Sequence, residues 1–266
     1  MKNRLISLPA IVTATALFFL LGPLVVVVLF SFNDAASLSF PMTGISTRWY
    51  WHVFQNADFV DALTRSLKLA FLTSAVTLVL GTAAAYGLTR STSRLRNPAI
   101  ALLFLPITLP ALFVGIALLS AFARVQMPPS FVTIAIAHVI MAFPFFFLIA
   151  KIALERLDPL LEEAAADLGA SPLQAFTKVT LPQVAPVLLG TSALSFMVSL
   201  DEFVVTVFVS GSNQTLPTFL YSRLRQAIDP SINVVSTILM LVTLALGGLA
   251  YLINARRIRR AASGDL

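Results

Sequence analysis

The chain has no cysteine among its 266 residues. Disulfides, thiolate nucleophiles and thiolate metal centres are excluded together, and cysteine usage says nothing about redox compartment. Charge is scarce as well. Asp, Glu, Lys and Arg make up 11% of the sequence, against about 25% in a soluble domain. Histidine occurs twice, at His52 and His138. No second His or carboxylate stands at helical spacing from His138, so a metal centre there has no ligand set, and a neutral hydrogen-bonded core residue is the plainer reading beside a ligand or proton relay. The phosphate loop G-x-x-x-x-G-K-[ST] is missing, and with it the cradle of backbone N–H groups that a nucleotide-hydrolysing subunit needs. A membrane enzyme would need a cluster of His, Cys or carboxylates, and none is visible. No fixed-period repeat or low-complexity tract interrupts the chain, so positions 1–266 read as a single transmembrane domain without a linker.

What is abundant is apolar surface: 58% of residues are hydrophobic and the mean hydropathy is +0.90. Runs of membrane-spanning length fall at about 8–32, 67–88, 99–122, 131–150, 187–209 and 234–253. A span needs roughly 20 apolar residues, so the pattern predicts six helices and an all-α integral membrane protein. The first run follows Lys2 and Arg4; it is too long for a secretory h-region, lacks a convincing small-residue cleavage site and reads as a retained first helix.

Basic residues give the orientation. With the N-terminus inside, Lys2, Arg4, Arg90, Arg94, Arg96, Lys151, Arg156, Lys178, Arg256, Arg257, Arg259 and Arg260 are cytoplasmic, twelve of eighteen. Arg48, Arg65, Lys68, Arg124, Arg223 and Arg225 are outside. This bias predicts a multi-pass protein with both termini in the cytoplasm. The net charge of +6 and pI near 10.2 reflect topology and contact with anionic membrane lipid, not nucleic acid, because the cations sit beside the spans. Segment 33–64 is the longest outside loop. Its Trp49-Tyr50-Trp51 group reads as an interfacial aromatic belt, with contact to a soluble partner as the alternative.

Between two apolar runs lies a polar cytoplasmic island, about 155–186, reading ERLDPLLEEAAADLGASPLQAFTKVTLPQVAP. Asp158-Pro159 offers an N-cap followed by proline at the first helical position, and Glu162 and Glu163 suit the positive end of the helix dipole. Leu161, Ala164, Ala165 and Leu168 recur at helical spacing. Gly169 can take the left-handed conformation that ends a helix. Ser171-Pro172-Leu173-Gln174 then has the form of a capping box, and Leu181-Pro182 is expected to stop the second helix. The result is a helix-turn-helix at the membrane surface, which either packs under its own bundle or docks a partner.

Two carboxylates, Asp201 and Glu202, interrupt the run SALSFMVSLDEFVVTVFVSG. Fourteen residues beyond Val187, about 21 Å along a helix, they fall in the outer half of the bilayer. A carboxylate there costs about 2.5–3.5 kcal/mol on insertion scales, so both should face protein, water or a cation. A structural ion pair with a neighbouring Lys or Arg and a cation pathway both satisfy that demand. Adjacent helical positions point about 100° apart, and Asp201 is the first choice for the pathway. Asn213 and Gln214 are weaker candidates at the outer mouth. Pro106, Pro110 and Pro144 either kink spans three and four or break the backbone beside a pathway.

The spacing Glu163-Ala164-Ala165, three residues, Gly169, nine residues, Val179-Thr180-Leu181-Pro182 resembles the EAA loop of ABC importer permeases, with Val179 in place of the usual isoleucine. Similarity extends over about 63–255, including Ser199-Leu200-Asp201-Glu202-Phe203-Val204 and Phe208-Val209-Ser210-Gly211, and the chain is similar to the spermidine/putrescine permease subgroup of type I importers. That resemblance implies a six-helix permease bundle in the cell inner membrane and a transport subunit, not an enzyme. It further implies a second permease in a heterodimer, an ABC ATPase dimer and a periplasmic solute-binding protein, with no cofactor of its own because ATP is held by the partner. Glu163, Ala164, Ala165, Gly169, Leu181 and Pro182 would then couple to the ATPase, and Asp201 and Glu202 would line the path of a small organic cation, a polyamine. The same architecture could instead import an amino acid derivative, a phosphonate or an inorganic anion, although an anion carrier would favour helix N-termini and arginines in its cavity.

Overall fold

The long apolar runs of the sequence become its longest helices. A computed structural model describes residues 8–35, 42, 44–226 and 230–263; Lys2 and Arg4 lie outside these, as do the side chains of Arg256, Arg257, Arg259 and Arg260. The chain forms two contact units, Met1–Val60 with Leu220–Ala245, and Asp61–Phe219 with Leu246–Leu266.

In the first unit, α1 (Leu8–Ser31) is apolar all round, and Phe18, Phe19 and Leu20 are at least 70% exposed, which lipid tolerates and water does not. After α1 the chain turns through an isolated antiparallel bridge between Asn33 and Ile45. There the Ser46 N–H donates to the Phe32 carbonyl at 2.8 Å. The next helix, α2 (Arg48–Gln55), carries Tyr50, whose hydroxyl lies 2.8 Å from Ser31 Oγ and whose ring stands 5.2 Å from that of Phe32. Of the three adjacent aromatics, Tyr50 therefore fastens α2 to the end of α1, while Trp51 is exposed.

The second unit carries most of the remaining chain. Helix α3 (Ala57–Val76) enters it and passes through a π turn at Thr77–Gly81 into α4 (Thr82–Arg90), a continuous 34-residue run. The Thr77 hydroxyl donates back to the Thr73 carbonyl at 2.8 Å, which fits the i−4 bonding by which Thr bends helices. Helices α5 (Arg96–Thr108) and α6 (Ala111–Arg124) meet at 108°. Pro110 makes this bend: the residue before it, Leu109, is driven out of the helical region to φ −95, ψ 144. Of the two roles open to the prolines, Pro110 breaks the backbone, while α7 (Phe131–Glu155) runs on through buried Pro144.

Helix α7 is the hub. Its N-terminal half joins α3 and α6 through Leu69, Val114, Phe122, Ile134 and Ala137. Its C-terminal half joins α4 through Ala85, Phe146, Phe147 and Leu154. Gly81 is the close-approach point, since a Cβ there would stand 2.4 Å from the ring of Phe146, the kind of small-residue contact on which membrane helices rely. The polar island forms α8 (Leu160–Asp167) and α9 (Pro172–Ala175), which continues through a second π turn, Phe176–Thr180, into α10 (Leu181–Asp201). Then come α11 (Val204–Val209), α12 (Leu216–Gln226) and α13 (Ser231–Ser263).

Two expectations change. Leu181-Pro182 does not stop the second helix: Pro172–Asp201 is one 30-residue run. The π turn lies just before Pro182, so the missing proline N–H falls where the hydrogen-bond ladder is already shifted. Conversely, the run 187–209 is not one helix. It breaks at Glu202 (φ −67, ψ 111), directly after Asp201. Among the described residues, four helices are long and apolar enough to cross a membrane, namely Pro9–Ser31, Ala57–Arg90, Phe131–Glu155 and Pro172–Asp201; α5 with α6 makes a fifth if the bent pair is one span. Helix α13 adds a shorter apolar stretch, Ser231–Ala245.

Candidate functional site

The polar island is shaped by its own caps. Asp158 Oδ1 accepts the Leu160 N–H at 3.0 Å and the Asp158 carbonyl accepts the Leu161 N–H at 3.2 Å, with Pro159 already helical at φ −59, ψ −27. At the other end of α8, the Gly169 N–H donates to the Ala166 carbonyl at 2.8 Å and the Ala170 N–H to the Ala165 carbonyl at 3.0 Å. Those two bonds are the Schellman pattern, and Gly169 takes the left-handed φ of +85 that it requires. The reciprocal box follows: the Ser171 N–H donates to Gln174 Oε1 at 2.9 Å, and the Gln174 N–H to Ser171 Oγ at 3.4 Å.

These turns expose one set of residues and bury another. Glu163, Ala164, Gly169 and Pro182 are exposed and Ala165 is half-buried. Around them Leu160, Leu168 and Leu173 are 62%, 90% and 70% exposed, a concentration of apolar side chains on a polar loop that marks an interaction surface. Leu181 is different. It packs on the core cluster containing Phe147 and Val184, so it roots the loop in the bundle.

A cluster not foreseen in the sequence centres on Glu162. Arg90 approaches its carboxylate from the end of α4, with Nη2 3.0 Å from Oε1 and Nε 3.3 Å from Oε2. The Tyr86 hydroxyl donates to Oε2 at 3.2 Å, and the Thr180 hydroxyl donates to Oε1. The Tyr86 ring also lies 4.5 Å from that of Phe176. One carboxylate thus ties α8 to α4 and to the π turn that leads into α10. Its partial burial raises its pKa, but the hydrogen bonds from Arg90 and Thr180 and the charge of Arg90 outweigh burial and leave it below the usual carboxylate value. The two acids of α8 look alike in the sequence, yet Glu162 faces this knot and Glu163 faces outward.

The strain at Gly169 gives a direct check on the loop. No atom lies within 4 Å of a Cβ built there, so any cost of substitution comes from the backbone, about 1–2 kcal/mol for an ordinary residue. Gly169→Val is expected to fray α8 and raise hydrogen–deuterium exchange across Leu160–Asp167 severalfold, whereas Gly169→Asn, which tolerates the left-handed region, should stay near wild type. Equal exchange in the two variants would contradict this.

The membrane carboxylates lie at the end of α10. Asp201 is its last residue and is exposed; Glu202, half-buried, occupies the break. Glu202 Oε1 accepts the Val205 N–H at 3.0 Å, and the Glu202 carbonyl accepts the Thr206 hydroxyl at 2.8 Å. Glu202, one residue before the N-cap Phe203, therefore meets an N–H of the first turn of α11, with its carboxylate at the positive end of that short helix. Among the described residues, neither carboxylate joins an ion pair and Asp201 takes no side-chain hydrogen bond. Of the outer-mouth candidates, Gln214 gives its carbonyl to Arg65 at 2.6 Å, and the Asn213 amide donates to the Ser210 carbonyl at 3.3 Å. Both shape the loop after α11.

Residues 77–260 match the family described as binding-protein-dependent transport system inner membrane component. The chain belongs to this family. It is a multi-pass membrane transport component, and the matched segment holds the whole polar island and both carboxylates. The putrescine transport system permease protein PotI of Escherichia coli (strain K12) is 32% identical over 246 residues, covering 90% of this chain and 87% of the relative. The spermidine/putrescine transport system permease protein PotC of Haemophilus influenzae is 32% identical over 240 residues, covering 90% and 93%. In fold, the chain is similar to the crystal structure of a bacterial ABC transporter involved in the import of the acidic polysaccharide alginate, with a TM-score of 0.73 at 16% identity over 96% of this chain and 98% of that one.

Proposed function

We propose that the chain is one of two permease subunits of an ATP-driven importer and carries a small organic polycation, putrescine or spermidine, across the cell inner membrane. The observation that carries the solute class is a carboxylate, Asp201, with no ion-pair partner among the described residues, at a helix break inside an apolar segment. The C-terminal end of α10 adds a partial negative charge there, and discontinuous helices are a recurrent way to place backbone carbonyls around a cation. Likeness over most of their length to permeases named for putrescine and spermidine supports the same class. On this reading the exposed face of α8, with Glu163, Ala164, Ala165 and Gly169, seats on an ABC ATPase. Leu181 and Pro182 pass its motion to α10, and a periplasmic binding protein delivers solute from the other side.

The test is ATP-dependent uptake of radiolabelled putrescine by proteoliposomes that hold the chain with its second permease, its ATPase and a loaded binding protein. Saturable uptake, competed by spermidine and not by sulfate or amino acids, is expected. Uptake of sulfate or an amino acid without polyamine uptake would overturn the solute class.

The proposed topology has six spans with both termini in the cytoplasm. The absence of native cysteine makes its test clean. Ser93→Cys and Ser171→Cys should resist a membrane-impermeant thiol reagent in intact cells, while Ser212→Cys should label. Labelling of Ser171→Cys in sealed cells would put α8 on the wrong side and end the ATPase reading.

A further inference from the structure

His138 lies within α7 at 1% exposure, an imidazole surrounded by apolar residues of its own helix. Both ring nitrogens have partners: Nδ1 is 2.7 Å from Ser199 Oγ and Nε2 is 2.8 Å from Thr206 Oγ1. These hydroxyls come from opposite sides of the helix break, Ser199 from the last turn of α10 and Thr206 from α11. Each continues outward. Ser199 donates to Thr73 Oγ1 of α3 at 3.2 Å, and Thr206 donates to the carbonyl of Glu202 at 2.8 Å. Thr73, Ser199 and Thr206 are at most 2% exposed, so no solvent substitutes for a lost bond, and an unmet partner bears its full desolvation cost.

The proton count gives the ring a more particular role than filling space. With its single proton on Thr73, Ser199 can accept from Nδ1–H, the tautomer in which Nε2 is an acceptor. Thr206 Oγ1 has one proton for two acceptors, the Glu202 carbonyl and Nε2, each at 2.8 Å, so it serves only one of them at a time. When that carbonyl takes another donor, the Thr206 proton can turn to the ring and no buried group is orphaned. A leucine at position 138 would fill the volume but could not accept that proton.

We infer that His138 is a positioning residue for solute passage: by bridging Ser199 and Thr206 it fixes α11 against α10, holds Asp201 and Glu202 at the break, and lets the Glu202 carbonyl exchange Thr206 for an amine of the solute. The inference rests on the reading of Asp201 and Glu202 as the pathway. Its test therefore includes a readout that does not depend on the solute.

The assembled importer in lipid nanodiscs is compared as wild type, His138→Leu, His138→Gln and Thr206→Val, by hydrogen–deuterium exchange and by uptake per assembled complex. His138→Leu and Thr206→Val should each raise exchange at least tenfold within 202–209 and leave α7 and the rest of α10 unchanged. Putrescine uptake at limiting concentration should fall about tenfold. His138→Gln, whose amide keeps both a donor and an acceptor, should recover to within threefold. Should His138→Leu fail to assemble, Thr206→Val, which exchanges one hydroxyl for a methyl of similar size, carries the test alone. Wild-type exchange at 202–209 in the variants, faster exchange spread evenly over the bundle, or unchanged uptake beside faster local exchange would each overturn the inference. If the wild-type complex carries another solute, that solute replaces putrescine in the uptake arm; the polyamine reading then fails while the exchange arm still decides the role of His138.

Discussion

Replacing Glu162 with alanine should leave the helices in the membrane and the ATPase bound, while transport per ATP falls at least tenfold. The reasoning starts from what the carboxylate holds. Arg90 binds it through two nitrogens, Tyr86 and Thr180 donate to it as well, and only 17% of its side chain is exposed. Hydrogen bonds to a charged group contribute about 1.5–3 kcal/mol, and the partners left behind lose their own compensation. Even about 2 kcal/mol, allowing for partial solvent access, corresponds to roughly thirtyfold in the ratio of docked to undocked α8. Glu163 makes a contrast in the same turn. It is exposed, so Glu163→Ala should weaken the encounter with the ATPase and leave α8 docked on α4. Arg90→Ala should reproduce the Glu162 defect, and the double variant should be little worse than either single change, because both remove one interaction. The depressed pKa of Glu162 fixes the sign of the pH response. Its contribution is fully present above the ordinary carboxylate value and is lost as pH falls through the lower folded value, so coupling should not change between pH 6 and 8 on its account. Normal transport per ATP in Glu162→Ala, with the ATPase bound at wild-type levels, would remove the knot from the coupling path.

How much of this could be read from the chain depends on the range over which each feature is decided. The turn at Gly169 and the Ser171–Gln174 box are set by residues within a few positions of one another, and both formed as their sequence signals require. The break at Glu202 gave no such signal. No Gly or Pro interrupts 191–209, and where the chain departs from the helix the half-buried Glu202 carboxylate takes the Val205 N–H of α11 and its backbone carbonyl takes the Thr206 hydroxyl. Pro182 misled in the opposite sense, since a π turn just before it absorbed the missing N–H. Which of Glu162 and Glu163 would be engaged was not visible either. The answer lies with Arg90 and Tyr86, more than seventy positions away. His138 was legible as a hydrogen-bonded core residue, but its partners are 61 and 68 positions distant, and only the folded chain brings them to either side of one break.

Asp201→Asn should lower uptake of labelled putrescine about tenfold at limiting concentration, while Glu202→Gln lowers it less than threefold at equal membrane abundance. The two acids are neighbours in sequence but face different demands. Glu202 already serves the α11 N-terminus through the Val205 N–H, and glutamine keeps an acceptor oxygen for that bond. Asp201 is exposed at the C-terminal end of α10 and, among the described residues, has no cation beside it. A charge at this depth costs about 2.5–3.5 kcal/mol unless something offsets it, and an alkylammonium passing the break would do so while regaining part of its own lost hydration. Asparagine preserves size and removes that attraction. A tenfold fall corresponds to about 1.4 kcal/mol, a small fraction of a full ion pair, which is what transit requires, because a site that bound the amine tightly would hold it. The loss should therefore appear mainly as a higher half-saturating concentration, with maximal uptake less affected. Asp201→Glu, which restores the charge on a longer arm, should recover more uptake than Asp201→Asn. Equal uptake by wild type and Asp201→Asn across the concentration range would take Asp201 off the pathway and leave its charge to be met by a group on a partner subunit.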